Sequence, residues 1–579
     1  MKGRHVVLGI CATHDAGVAL VIDGKLVAAA SEERFTKNKH HYGFPEQSLA
    51  FVLAHAGLHP NDVTSVGVAG RSLPFSARVA ARTVIRSPRT VIEALRRRET
   101  AQGDSWTRSG DVDGWLADKG IHATRHRVLH HAGHASYGAH SATRKTALVL
   151  SLDGQGDALS GGVYVSRNGR VERVAEHLAK GGSLGHAYSL VTYGLGFKVN
   201  DGEGKTMGLA CYGKTTRARA ALDPYFPRAH GLEMSGGEPL RFGAKIDGKR
   251  LVATYDAYKP LITRLVEDHG REDVALSCQE LLEDRVDPLL RKAIETTGIR
   301  EVVGVGGVFL NVKMTLVLSE RLGLDYVYVP PHPGDGGLAA GFAFEAHTRD
   351  APDVPIEPLV DPYLGPAYDD ASIEKALAAF DDLEAERCDD IARRTAQRLV
   401  DGKVVGWFQG RMEWGNRALG ARSVLADPRD PAVRDRINHH LKNRDWFMPF
   451  APSVLSEACD GLFHDFTFSP FMNHCFRVRE AHKRDIPAAT HVDGTARPHQ
   501  VSERTSPLYH RMISAFREQT GVPAVLNTSF NRHGLPIVCT PKDALDHLAW
   551  GCVDELAIGS FLVRRKGEPR PYTDPREDD

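Results

Sequence analysis

Two histidines four residues apart, His130 and His134 in LHHAGHASYGAH, are the first residues whose spacing suggests chemistry. On a helix, positions i and i+4 share a face, so both imidazoles could reach one cation. Paired histidines are as often plain surface or core residues, and this chain has 28 histidines in all. Two carboxylates strengthen the metal reading: Asp153 after the apolar run TALVLSL, and Asp335 between glycines in HPGDGG. Carboxylates beyond the ends of buried strands stand at the mouth of an α/β cleft. A donor set of imidazole and carboxylate without thiolate suits Fe(II), Mn(II) or Zn(II), and the sequence leaves all three open. His14, in LGICATHDAG, follows a buried-looking strand and has Asp15 beside it. An imidazole titrating near neutrality can take the proton of an alcohol, although a loop histidine bonded to backbone fits the pattern equally well.

A second group is cationic. Arg411, Arg417, Arg422, Lys442 and Arg444 lie among glycines, apolar residues and a proline loop, with Arg497 following in DGTARPHQV. A solvated helix would interleave acids four residues away. Guanidinium groups instead fork onto phosphate oxygens, and Asn527 and Ser529 in LNTSFN add neutral donors. This pattern predicts a polyphosphate site. The more obvious nucleotide loop, VNDGEGKTM (199–207), is a decoy: a phosphate-wrapping loop needs glycine where Val199 stands. GLACYGK also turns again too soon to promise a supporting amphipathic helix. Between 71 and 110, nine arginines face three acids; a solvated helical face explains this more simply than a lid over an electron-rich ligand.

These residues need a frame. HVVLGI, THDAG and VALVIDGKLVAAAS read as strand, polar loop and hairpin, and TALVLSLDGQGDALSGGVYVSRNGRVERV repeats that order. The hairpins turn at Asp23-Gly24 and Asn168-Gly169, where both central positions need positive φ. The repetition predicts a duplicated α/β unit with a cleft between its copies. EVVGVGGVFLNVKMTLVLSERLG then reads as strand, glycine turn at Gly306-Gly307, and helix with Asn311 near its start. A proline-rich stretch, 351–366, marks a linker. Residues 1–355 and 371–579 are therefore expected to form two domains, joined through 356–370. The second opens on a helical pattern, ASIEKALAAFDDLEAERCDDIARRTAQRLVDG, and continues through the strand KVVGWFQG.

Bulk properties agree with two domains. At 579 residues the chain exceeds one ordinary core, and its zero formal net charge calls for neither nucleic acid nor an anionic membrane. Eight scattered cysteines without a CxxC pair suit a reduced, cytoplasmic protein. No run approaches the ~18 apolar residues of a membrane span, and the N-terminus does not read as a signal peptide.

The motifs LGICATHDAG, SEERFTKNKHHYGFP, HHAGHASYGAH, LSLDGQGD, DGEGKTMGLACYG, GGVFLN, GDGG, GNRALGARSVLADPR, FAPSVL, DGTARPHQV and LNTSFN carry a resemblance along nearly the whole chain. It resembles the NodU/CmcH-type O-carbamoyltransferases, the nebramycin synthase-like antibiotic-tailoring enzymes among them. That resemblance implies an N-terminal actin/Hsp70-like domain akin to threonylcarbamoyl-transferring proteins, and a C-terminal YrdC-like domain. It implies that carbamoyl phosphate and ATP, the latter with Mg(2+), give carbamoyl-adenylate in the second domain. The carbamoyl group then moves in the first domain to a hydroxyl of a small-molecule natural product. By resemblance, His130, His134, Asp153 and Asp335 hold Fe(2+) or another divalent metal, and His14 is the base. Asp153, Gly306, Gly307 and Asn311 meet the carbamoyl-adenylate. Arg417, Lys442, Arg444, Arg497, Asn527 and Ser529 serve ATP and carbamoyl phosphate. Two positions depart from the family pattern: Asn416 replaces a proline, and Met448 replaces an arginine held to bind phosphate. A metal-dependent hydrolase and a non-catalytic nucleotide-binding regulator are the competing classes.

Overall fold

The computed structural model describes residues 4–70, 112–247, 250–442 and 445–576. The arginine-rich segment 71–110 and the candidate Arg444 therefore lie outside the described residues. Strands β1 (Val6–Cys11), β2 (Gly17–Ile22), β3 (Lys25–Ser31), β4 (Ser65–Ala69) and β5 (Thr124–Val128) form one sheet in the order β3-β2-β1-β4-β5. Its first two pairings are antiparallel, and β1-β4 and β4-β5 are parallel. A second sheet contains β6 (Thr146–Gly156), β7 (Leu159–Arg167), β8 (Arg170–Leu178) and the strands Val302–Val305 and Val327–Tyr328. Counted from β8, its order and directions repeat those of the first sheet. The repeated sequence pattern is thus a repeated topology. Both hairpins turn where expected, with φ of 49° and 85° at Asp23-Gly24 and 51° and 81° at Asn168-Gly169.

Two helices fill the space between the sheets. His130–Ser141 follows the first sheet and Leu338–Asp350 the second. They approach so closely that a Cβ on Gly341 would lie 2.0 Å from the Gly133 carbonyl oxygen. The helix Leu338–Asp350 also lies on β1, where a Cβ on Gly9 would stand 1.8 Å from the Ala339 carbonyl oxygen. Backbone cannot yield as a side-chain tip does. Gly9→Ala is therefore expected to destabilise the fold by about 3 kcal/mol or more, read from the shift of a denaturant midpoint; an unchanged midpoint would show that this contact is looser than its geometry.

From Ala351 to Asp369 the chain has no helix or strand, yet Leu359 and Leu364 are buried against the first sheet. The C-terminal half is built on a mixed eight-stranded sheet, ordered Leu383–Arg387, Phe561–Arg565, Glu555–Ile558, Val405–Phe408, Arg422–Ala426, Ala524–Ser529, Ala451–Leu455 and His499–Val501. Helices Ile391–Val400 and Pro507–Thr520 cover one face, and Asp370–Leu377 and Pro541–Ala549 the other. The helical pattern expected across 371–402 is interrupted: Leu383–Arg387 is a strand. The first helix ends at Leu377, a turn runs through Asp381-Asp382, and the segment after it pairs with Phe561–Arg565 at the sheet edge. The chain is thus a mixed α/β protein, and no helix among the described residues is long and apolar enough to cross a membrane.

Candidate active site

The helix His130–Ser141 carries both histidines of the HxxxH pair on the face turned toward β6 and the Asp335 turn. His134 Nε2 lies 3.1 Å from His130 Nε2, 3.1 Å from Asp153 Oδ2 and 3.3 Å from Asp335 Oδ1. His130 Nε2 is 3.4 Å from the same Asp335 oxygen and 4.0 Å from Asp153 Oδ2. One ligand atom from each residue falls within 4.8 Å of all the others. Asp153 stands where the β6-β7 register breaks between Leu152 and Gly156, so it belongs to an irregular strand end rather than a free loop. Asp335 opens a single turn before the helix Leu338–Asp350 and is 9% exposed.

Asp153 Oδ2 is buried without a geometrically sound hydrogen bond, as is His134 Nδ1. A carboxylate oxygen left so among converging ring nitrogens fits a divalent cation better than it fits hydrogen bonding. Carboxylate charge dominates the field at the cluster. Burial pushes the His130 imidazole down, but the charges of Asp335 and Asp153 outweigh it and raise it to about 10. Burial alone would raise Asp335, yet the surrounding imidazoles hold it well below the usual carboxylate range.

His14 sits on the other oxygen of Asp335, with Nε2 3.0 Å from Oδ2, while its Nδ1 is 3.1 Å from Asp15 Oδ2. Burial opposes charge here too, but Asp335 and Asp15 leave His14 well above its ordinary value. Gly306 has φ 91°, and a Cβ there would lie 2.1 Å from the Leu152 carbonyl oxygen; one on Gly307 would be 3.1 Å from Asp153 Oδ1. The glycine turn therefore sits against the cluster. Asn311 differs. It caps the helix Val312–Leu322 by accepting from Met314 N at 2.9 Å, and it exchanges amide hydrogen bonds with Gln279 at 2.8 and 3.0 Å. Both ends of its side chain are already engaged.

The cationic residues of the C-terminal half separate into three groups. Arg422 donates to the carbonyl oxygens of Gln409, Gly410 and Pro366 and stacks 3.6 Å from the Phe408 ring centre. Arg411 likewise binds the carbonyls of Val27, Leu364 and Gly365. These two hold loops, contrary to the expectation that they join a phosphate site: buried carbonyls left over by irregular chain need donors. Lys442 donates to Ser529 Oγ at 3.0 Å and Asn531 Oδ1 at 2.9 Å, which seats it at the end of the strand Ala524–Ser529. Arg417 and Arg497 form the third group. Both Nε atoms are buried without a partner among the described atoms. Burial lowers both guanidiniums, and the charge of Arg497 lowers Arg417 further. Asn527 donates to Ala418 O and Ser453 Oγ while its Oδ1 is buried and unpartnered. Two neighbouring guanidiniums lacking an acid are what a pocket for a multiply charged anion requires.

The GKT segment is a helix after all, though a short one, Glu203–Ala210. Gly202 supplies its start and Cys211 its end. Lys205 does not point into a phosphate cradle: its Nζ pairs with Asp445 at 3.0 Å. Met448 packs against the N-terminal core beside Phe197 and Phe447, its sulfur 3.8 Å from where a Cβ on Gly208 would lie. Its position thus answers to apolar packing, which a guanidinium would disrupt.

Family models match both halves, "Carbamoyltransferase N-terminus" over residues 6–344 and "Carbamoyltransferase C-terminus" over 396–565. The chain belongs to the carbamoyltransferase family. Nodulation protein NolNO of Sinorhizobium fredii is 33% identical across 96% of this chain and 79% of its own length. Nodulation protein NolO of Bradyrhizobium diazoefficiens is 37% identical across 76% of this chain and 79% of its own. Nodulation protein U of Rhizobium tropici is 29% identical across 97% and 96%. Among solved structures, component A of the Acidaminococcus fermentans (R)-2-hydroxyglutaryl-CoA dehydratase covers 60% of this chain at 15% identity with TM-score 0.34. HypF of T. kodakarensis covers 60% at 13% with TM-score 0.31.

Three further polar residues extend from His14: Asp15 contacts it, His40 contacts Asp15, and Asp201 contacts His40. The sequence assigns none of them a role; their one signal is that KNKHHYGFP and VNDGEGKTM carry polar residues without an evident partner.

Proposed function

We propose that this carbamoyltransferase is ATP-dependent and carbamoylates a hydroxyl of a small-molecule natural product through carbamoyl-adenylate. Residues 371–579 form the adenylate from carbamoyl phosphate, water and ATP: water releases phosphate from carbamoyl phosphate, and an oxygen of the resulting carbamate bonds to the α-phosphorus of ATP as the bond to pyrophosphate breaks. Residues 1–355, an actin/Hsp70-like duplicated unit, perform the transfer; 356–370 connect the two, and the C-terminal unit is YrdC-like. The observation that carries this reading is the separation of two unlike sites in one chain. One gathers two imidazoles and two carboxylates; the other gathers Arg417 and Arg497 without counter-ions among the described residues, near Asn527. Neither site alone accounts for the other.

His130, His134, Asp153 and Asp335 would hold Fe(2+) or a similar cation, which supplies positive charge to an adenylate phosphate or a polarised carbamoyl carbonyl. His14 takes the proton of the acceptor hydroxyl while the acceptor oxygen bonds to the carbamoyl carbon and AMP leaves with the electrons of the broken C–O bond. The imidazolium formed lies between Asp335 and Asp15, which stabilise its charge as a buried carboxylate does in a catalytic triad. Arg417 and Arg497 neutralise phosphate charge in the first half-reaction, and Lys442 and Ser529 add donors beside Asn531. Making and consuming the adenylate within one chain limits its exposure to water.

Incubation with ATP, carbamoyl phosphate and Fe(II) tests this directly: AMP and pyrophosphate are expected. Phosphate without pyrophosphate would select a metal-dependent hydrolase, and nucleotide binding without turnover a regulator. A mass-shift screen of hydroxylated natural products, antibiotics included, then identifies the acceptor through a carbamoyl adduct. His14→Asn is expected to retain pyrophosphate release and to lose carbamoyl transfer by about a hundredfold or more; equal loss of both would contradict the assignment of the two half-reactions to separate sites.

A further inference from the structure

The imidazole assigned as base is the first member of a longer chain of alternating carboxylates and imidazoles. Asp15 Oδ2 faces His14 Nδ1 at 3.1 Å, and the other oxygen, Oδ1, lies 2.7 Å from His40 Nδ1. His40 Nε2 points at Asp201 Oδ1, 3.4 Å away. Asp201 is anchored in turn by Arg250 at 2.5 Å and Lys39 at 3.3 Å. Each ring nitrogen of His14 thus faces a carboxylate, Nδ1 that of Asp15 and Nε2, at 3.0 Å, that of Asp335, so the ring is held from both sides. The backbone at this chain of contacts is unusual. Asp15 has φ 56° and His40 φ 55°, both in the left-handed region where side chains other than glycine are uncommon.

Surrounding contacts hold these conformations in place. Ala16 N donates to the His41 carbonyl at 3.0 Å, His40 N to Glu33 Oε2 at 2.9 Å, and His41 bridges to Arg250. Three separate stretches of sequence meet through one imidazole, that of His40: the loop after β1 through Asp15, the 38–43 segment that carries the ring, and the 200–202 loop through Asp201. Strained backbone retained beside a reacting group is a sign that side-chain placement there is over-determined. A simple stability role would not require the two αL residues to fall at the two members that touch each other.

We propose that Asp15, His40 and Asp201 are positioning residues for carbamoyl transfer, forming a strut that fixes the ring plane and tautomer of His14 so that Nε2 can receive the acceptor proton. The proposal rests on the two-site reading above. Its physical content is that the strut matters for nucleophiles that must lose a proton and not for those that need not. Water and alcohols need the base. Hydroxylamine attacks through a neutral nitrogen lone pair, forming the N–C bond of hydroxyurea as the carbamoyl–phosphate C–O bond breaks; its surplus proton leaves afterwards to solvent.

The test uses the full chain with ATP, carbamoyl phosphate and Fe(II), and follows two outputs: AMP release with water as nucleophile, and hydroxyurea formation with added hydroxylamine. In His40→Ala, the water-driven rate is expected to fall about tenfold, while hydroxyurea formation changes less than about twofold. His40→Gln keeps a donor toward Asp15 and is expected to recover part of the loss, and Asp201→Asn to fall between the two. Equal slowing of both nucleophiles, or no change in either, would overturn the strut. Wild-type protein that makes neither AMP nor hydroxyurea would remove the two-site reading first and this proposal with it. Circular dichroism on each variant separates a misfolded chain from a misplaced imidazole.

Discussion

Asp335→Asn is expected to lose its bound divalent ion and to slow carbamoyl transfer by about a hundredfold or more, while the chain stays folded. One Asp335 oxygen lies within 3.4 Å of both His130 and His134, and the other lies 3.0 Å from His14. Asparagine preserves the shape but removes the charge, and turns an amide N–H toward ring nitrogens that need an acceptor or a cation. Metal content after anaerobic loading with Fe(II), measured on gel-filtered protein, gives a readout independent of turnover. Pyrophosphate release should persist, because Arg417 and Arg497 are untouched. Full metal retention with full transfer would sink the four-residue site; loss of pyrophosphate release as well would point to one site instead of two.

Arg417→Met is expected to act with opposite signs on activity and stability. Without a bound anion, two neighbouring guanidiniums share a buried environment with no acid pairing them among the described residues, and the charge of Arg497 makes Arg417 costlier to keep charged. Removing one should stabilise the ligand-free chain by on the order of 1 kcal/mol, visible as a higher Tm. The same change should slow pyrophosphate release by about a hundredfold, since a thioether cannot share phosphate charge. Lysine at this position should rescue only part, because a point charge replaces a planar fork. A variant that is both less stable and fully active would mean that Arg417 is a structural residue.

Much of the frame was legible because it rests on local rules. Period-two apolar runs closed by Asp23-Gly24 and Asn168-Gly169 force hairpins, and an HxxxH pair on a helix forces a shared face. The strand Leu383–Arg387 was not legible, because LEAER has no strand-like composition and is held by its edge partner Phe561–Arg565. Arg411 and Arg422 misled for a related reason: an arginine amid glycines looks alike from sequence whether it meets a phosphate or a buried carbonyl. Only the distances of Arg422 to Gln409, Gly410 and Pro366 separate the two. The Asp15–His40–Asp201 strut was hidden because its members lie 25 and 161 residues apart in sequence, and no periodicity joins them.

Phe447, from the C-terminal half, is 3% exposed within the apolar cluster of the second sheet, and Trp414, likewise 3% exposed, enters that of the first. Phe471, 1% exposed, packs likewise among Val149, Val303 and Tyr328, so cutting the polypeptide near residue 370 would leave at least three ring-sized voids in one fragment and as many bare aromatics on the other. Such fragments should be sticky and poorly soluble apart, yet able to find each other again when co-expressed. For anyone shuffling halves between relatives, these rings, more than the connecting segment, define which pieces are interchangeable.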